Sequence, residues 1–130
     1  MENEIILQAS QISIGYSHKK EKTIIASNID LSLRKGKLIA LIGANGIGKS
    51  TLLRTITGIQ KTISGTVFLN GINIHELDAL TLAQNLSVVL TEKLPPSNLT
   101  VFELIVLGRQ PYTNWIGKLT DEDIAKVNEA

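Results

Sequence analysis

The sequence predicts an α/β fold in which an antiparallel β portion precedes a parallel-sheet core. Three observations carry that expectation. The front of the chain holds the β-prone runs "EIILQA" (4–9) and "QISIGY" (11–16), then "TIIASNIDLSL" (23–33), where Ile29, Leu31 and Leu33 alternate with Asp30 and Ser32. Such alternation marks a strand buried on one face. By contrast, "KLIALI" (37–42) and "LSVVL" (86–90) do not alternate, as expected of strands covered on both faces in a parallel sheet. Helical patterns then follow these runs, an order that belongs to α/β architectures.

Taken in order, residues 4–9 and 11–16 form one or two strands, and the mixed-charge run "HKKEK" (18–22) is a solvated turn. Residues 23–33 form a half-buried strand closed by the turn "RKG" at 34–36. From Lys49 to Thr57 the pattern is helical, and Gly58 supplies the left-handed residue that ends such a helix. "GTVFLNG" (65–71) is a strand whose Asn70-Gly71 turn leads into "INI", and "DALTLAQ" (78–84) is a short helix. Thr100 with Glu103, and Thr120 with Asp123, have the spacing of capping boxes, so Asp121, Glu122 and Asp123 read as a helix start rather than a catalytic cluster. His18 and His75 lie in polar stretches and read as exposed.

Bulk properties exclude several classes. A length of 130 residues fits one domain, and scarce aromatics leave Ile, Leu, Val and Ala to build its core. The net charge of +1, from 13 basic and 12 acidic residues, argues against nucleic acid as a partner. With no cysteine, disulfides and thiolate metal sites are excluded. The acidic N-terminus is unlike a secretory signal, and no apolar run approaches the roughly eighteen residues of a membrane span. The expectation is a cytoplasmic chain that reaches a membrane only through a partner.

The chemistry is concentrated in "GANGIGKS", which fits G-x-x-x-x-G-K-[ST] from Gly43 to Ser50. A chance match in a chain of this composition is on the order of one in a hundred. Gly43, Gly46 and Gly48 let successive backbone N–H groups turn toward one anion. The helix that starts near Lys49 adds the positive end of its dipole. Lys49 is expected to reach the β- and γ-phosphates, Ser50 to place its hydroxyl on Mg²⁺, and Thr51 to help hold the α-phosphate. A plain glycine-rich turn with a surface lysine is the competing reading, and it does not account for the strand before the loop and the helix after it. For Tyr16, stacking on a base and packing at a strand end stand equal on the residues alone.

The filling of the loop, "GANGIGKSTLL", resembles the ATP-binding-cassette (ABC) ATPases, including Asn45 within it. The resemblance implies a P-loop NTPase fold and ATP with Mg²⁺ as ligands. It assigns Tyr16, in "ISIGYSHKKE", to stacking on adenine, an interaction of about 1–3 kcal/mol that any base satisfies. "NLTVFELIVLGRQPYTNW" (98–115) looks like the start of the family's helical subdomain, which receives the membrane permease, and its flavour is nearest the importers of iron chelates, haem and vitamin B12. On this basis residues 1–93 are the β portion with the nucleotide-binding core, and 94–130 begin the helical subdomain of an incomplete domain.

The chain also departs from the family pattern. A glutamine that touches Mg²⁺ usually ends the strand placed at 86–90, and here Thr91 follows that strand. The sequence contains no "LSGGQ"-like signature, no apolar strand ending in Asp-Glu, and no histidine after a late strand. The resemblance therefore implies a part of an importer ATPase that grips ATP but assigns no catalytic residue within these 130 residues. Its implied partners are permease subunits and a second ATPase subunit packed head to tail. Two other readings are a nucleotide-binding module without turnover and a soluble, non-transport ABC protein.

Overall fold

The computed structural model describes residues 4–19, 21–89, 98–113 and 117–130. These fall into two compact units, Met1–Asp78 and Ala79–Ala130. The boundary expected at residues 93–94 lies outside the described residues.

The first unit is built on β1 (Ile5–His18), a single long strand where the sequence suggested one or two. The ambiguity has a physical cause. Leu7 and Ala9 face inward, as do Ile12 and Ile14, so the inward parity changes between Ala9 and Ile12. Gln11, at φ 49°, is the extra residue that shifts the phase, and the pairing of β1 with its neighbours jumps there. Asp30 secures the bulge by accepting hydrogen bonds from the Gln11 backbone N–H (2.9 Å) and from the Gln11 side-chain amide. Gly65 lies against the Gln11 carbonyl, where a Cβ would collide with it.

On one side β1 pairs antiparallel with β2 (Glu21–Arg34), where Ile29, Leu31 and Leu33 are half-buried and Asp30 and Ser32 are exposed, as their alternation predicts. On the other side it pairs antiparallel with β3 (Ser64–Leu69). β3 turns through Asn70 and Gly71, both at positive φ, into the short β4 (Ile72–Asn73). The strand order is β2-β1-β3-β4. α1 (Lys49–Ile56) packs on β1 and contributes Thr51, Thr55 and Ile56 to a core of Leu7, Ala9, Ile12, Ile14, Val67, Leu69 and Ile74. Gly58, at φ 77°, follows the helix as expected.

Among the described residues, the two runs expected to be parallel-sheet strands, 37–42 and 86–90, show no strand pairing, and Leu90 lies outside those residues. Leu38 and Ile42 are 101% and 90% exposed. An apolar run becomes a strand only when a neighbour takes its backbone hydrogen bonds, and no described residue pairs with either run. The observed sheet is antiparallel throughout.

The second unit holds α2 (Ala79–Asn85), α3 (Val101–Leu107), a 3-10 turn (Gln110–Tyr112) and α4 (Asp121–Glu129). Both capping boxes form in full, at Thr100–Glu103 and Thr120–Asp123. Asp123 does more than cap. Its buried carboxylate also accepts from Arg109 Nε at 2.8 Å and pairs with the Arg109 guanidinium at 2.7 Å, tying α4 to the end of α3. Arg109 lies 4.3 Å over the Tyr112 ring, and the Tyr112 hydroxyl donates to the Gln84 carbonyl at 3.2 Å.

The Thr120 backbone N–H and hydroxyl, followed by Arg109, hold the Asp123 carboxyl down at about 2. An unfolded aspartate titrates at about 3.9. A depressed carboxyl contributes stability that is complete above its unfolded value and lost as pH falls through its folded value. We therefore expect the docking of α4 to weaken between about pH 4 and pH 2. Helical circular dichroism against pH checks this, and Asp123→Asn should flatten the dependence while lowering stability at neutral pH.

Candidate phosphate-binding site

The loop between Ile42 and α1 turns through Gly46 (φ 81°) and Gly48 (φ 105°), conformations that side chains rarely adopt. Gly48 is also crowded, since a Cβ there would lie 2.7 Å from Ile25 Cγ2. Gly43 contributes differently. It has no positive φ, but its carbonyl and that of Ala44 each accept a hydrogen bond from Lys49 Nζ at 2.7 Å. The lysine thus folds back and laces the loop to its own helix.

Gly48 caps α1 without a side-chain acceptor, and the first turn contains no acidic residue. The first intrahelical hydrogen bond runs from Leu52 N–H to the Gly48 carbonyl. The N–H groups of Lys49, Ser50 and Thr51 precede it, so the end of the helix presents donors and a positive dipole with no anion of its own. Lys49 adds a charge, because an ammonium has three donors and the loop carbonyls engage two.

These groups open onto a groove of ≈ 460 Å³. Tyr16 and Ile25 line it from the hairpin; Asn45, Gly46 and Gly48 line it from the loop; Lys49, Ser50 and Thr51 line it from α1. Of the residues singled out in the sequence, only Gly43 and Thr91 are not among these. Gly43 acts through its carbonyl, and Thr91 lies outside the described residues. Ser50 is exposed, whereas Thr51 is buried beneath the groove, with its backbone carbonyl accepting from Thr55 Oγ1 at 2.7 Å. Both histidines are exposed.

Sequence reasoning missed Ile25. In the hairpin, Ile14 faces Ala26 and Gly15 faces Ile24, so Ile25 is an extra residue on β2. The available signal was the Ile24-Ile25 pair, two adjacent β-branched residues where strict alternation would have allowed one.

The groove thus gathers helix N–H donors, an ammonium and a hydroxyl beside an aromatic ring. The profile of the ABC transporter family matches residues 26–129. The chain belongs to that family. An uncharacterized ABC transporter ATP-binding protein of Methanocaldococcus jannaschii is 41% identical over 118 residues, which are 91% of this chain and 39% of that protein. The iron(3+)-hydroxamate import ATP-binding protein of Bacillus subtilis is 38% identical over 90% of this chain and 42% of its own length. The ABC chain thus spans less than half the length of these relatives. Its fold matches that of a dimeric bacterial ABC transporter cassette with a TM-score of 0.73, at 24% identity over 92% of this chain and 53% of the other. The P-loop NTPase fold expected from "GANGIGKS" is therefore present, although its two expected parallel strands are unpaired here.

Gly48 offers a direct check on the ABC loop. Alanine there must both hold φ near 105° and push against Ile25. We expect Gly48→Ala to cost about 1–3 kcal/mol, read as a lower urea midpoint, with weaker nucleotide binding.

Proposed function

We propose that this chain is the ATP-gripping part of the ATPase subunit of an ABC importer for an iron chelate, haem or corrinoid. One observation carries the nucleotide assignment: Tyr16, Lys49, Ser50 and Thr51, from elements far apart in sequence, meet around one groove at an uncapped helix N-terminus. Its volume of ≈ 460 Å³ is that of a small-molecule site. The Tyr16 ring takes the adenine, with Ile25 beside it. Gly43, Asn45, Gly46 and Gly48 shape a loop whose N–H groups take the β-phosphate, and Lys49 takes the β- and γ-phosphates. Thr51 serves the α-phosphate.

The exposed Ser50 hydroxyl suits a hard cation; Thr91 stands where the family's metal-touching glutamine does, with a hydroxyl in place of the amide oxygen. Bound Mg²⁺ would neutralise charge on the phosphate oxygens. The importer assignment is supported by the resemblance of 98–115 and by the iron-hydroxamate importer among the relatives. In the whole protein, two such subunits close head to tail over ATP, and hydrolysis resets the permease. The protein would then sit on the cytoplasmic face of the membrane, held there by the permease; among the described residues no helix is long and apolar enough to cross it. With no signature motif, Asp-Glu strand end or late histidine in its sequence, the 130-residue chain binds ATP without turning it over efficiently.

Titration with Mg·ATP tests the grip. Lys49→Ala should weaken binding at least tenfold, about 1.4 kcal/mol, and unchanged affinity would refute the phosphate role. Steady-state phosphate release by the isolated chain, abolished by Lys49→Ala, would overturn the claim that it does not turn ATP over.

A further inference from the structure

Tyr16 touches the phosphate-binding helix as well as the base side of the groove. Its hydroxyl lies 3.2 Å from Thr51 Oγ1, in the first turn of α1. Thr51 is 5% exposed, so this contact is made largely out of solvent, while the Tyr16 residue itself is 53% exposed. The end of β1 is fixed from behind as well. The Gln60 side-chain amide donates to the Gly15 carbonyl. Gly15 lies so close to the Thr23 backbone that a Cβ there would collide with it. The backbone just before Tyr16 is thus fixed by Thr23 of β2 on one side and by Gln60, beyond α1, on the other.

A hydroxyl donates one proton and still accepts. Between these two, the phenol is the more acidic and the natural donor. When it donates to Thr51 Oγ1, the threonine proton is left to point into the groove. Hydroxyls linked in this way polarise one another, which strengthens the outer bond to an anion.

We propose that the Tyr16 hydroxyl is a positioning group for phosphate binding: it donates to Thr51 Oγ1 and so aims the Thr51 proton at the phosphate chain. The inference rests on the triphosphate reading above. It gives Tyr16 two separable tasks, with the ring face serving the base and the hydroxyl serving the anion. Phenylalanine keeps the first and loses the second.

The test is a double-mutant cycle on the full chain: wild type, Tyr16→Phe, Thr51→Val and the pair, each titrated with Mg·ATP and with inorganic tripolyphosphate. Thermal melts of each variant confirm that the fold is retained, and Thr51→Ser, which keeps the hydroxyl, is the control for packing. Tyr16→Phe should weaken both ligands about fivefold, the worth of one hydrogen bond, and should retain its effect beside Thr51→Ser. Beside Thr51→Val it should have no further effect. Three results would overturn the proposal: unchanged affinity in Tyr16→Phe, a loss for ATP alone, or the same loss in the Thr51→Val background. If wild type binds neither ligand, the triphosphate reading falls and takes this inference with it. If binding depends on Lys49 but not on the Tyr16 hydroxyl, only the inference falls.

Discussion

The first unit depends on one extra residue in one strand. Side chains of a strand alternate between faces, so a slip of one residue sends every later side chain to the opposite side. Without the bulge at Gln11, β1 could bury Leu7 and Ala9 or Ile12 and Ile14, but not both pairs. Burying a large aliphatic side chain is worth about 1.5–3 kcal/mol, whereas one residue held in the left-handed region costs about 1–2 kcal/mol. The balance favours the bulge. The Asp30 carboxylate adds to it by engaging both the backbone and the amide of Gln11.

The groove inherits its geometry from that choice. Once Ile12 and Ile14 face α1, the same parity carries Tyr16 to the same side, one step beyond the covered core. The second bulge, at Ile25, turns an aliphatic side chain toward Gly48, where only a glycine leaves it room. The apolar side of the groove thus comes from irregularities in an antiparallel hairpin. Its polar side comes from the unpaired start of a helix, and the two meet where β1 packs on α1.

What could be read in the sequence was what is local. The requirements of the loop sit in consecutive residues from Gly43 to Thr51, and each capping box spans four, so chain order reveals them. Tyr16 received a role only through the family resemblance, because nothing in its own neighbourhood separates a base platform from a packing residue; what the structure adds is its place on the wall of the groove. Ile25 and the Gln11 bulge were not legible, since each is defined by pairing with a distant strand. Asp123 was seen as a cap but not as the partner of Arg109, fourteen residues earlier. The runs at 37–42 and 86–90 show the same limit from the other side. Their composition states a preference for burial between neighbours, and a strand exists only where those neighbours are in place.

The lacing of Lys49 to the Gly43 and Ala44 carbonyls bears on how fast a ligand is captured. A loop that must organise around an incoming anion adds a rearrangement to every encounter, and such steps pull association below the diffusional range. Here the lysine already ties the Gly43 and Ala44 carbonyls to the start of α1. For the phosphate ligand proposed above, encounter and capture would then be one event, and differences in affinity among ligands should be written mainly in how long they stay.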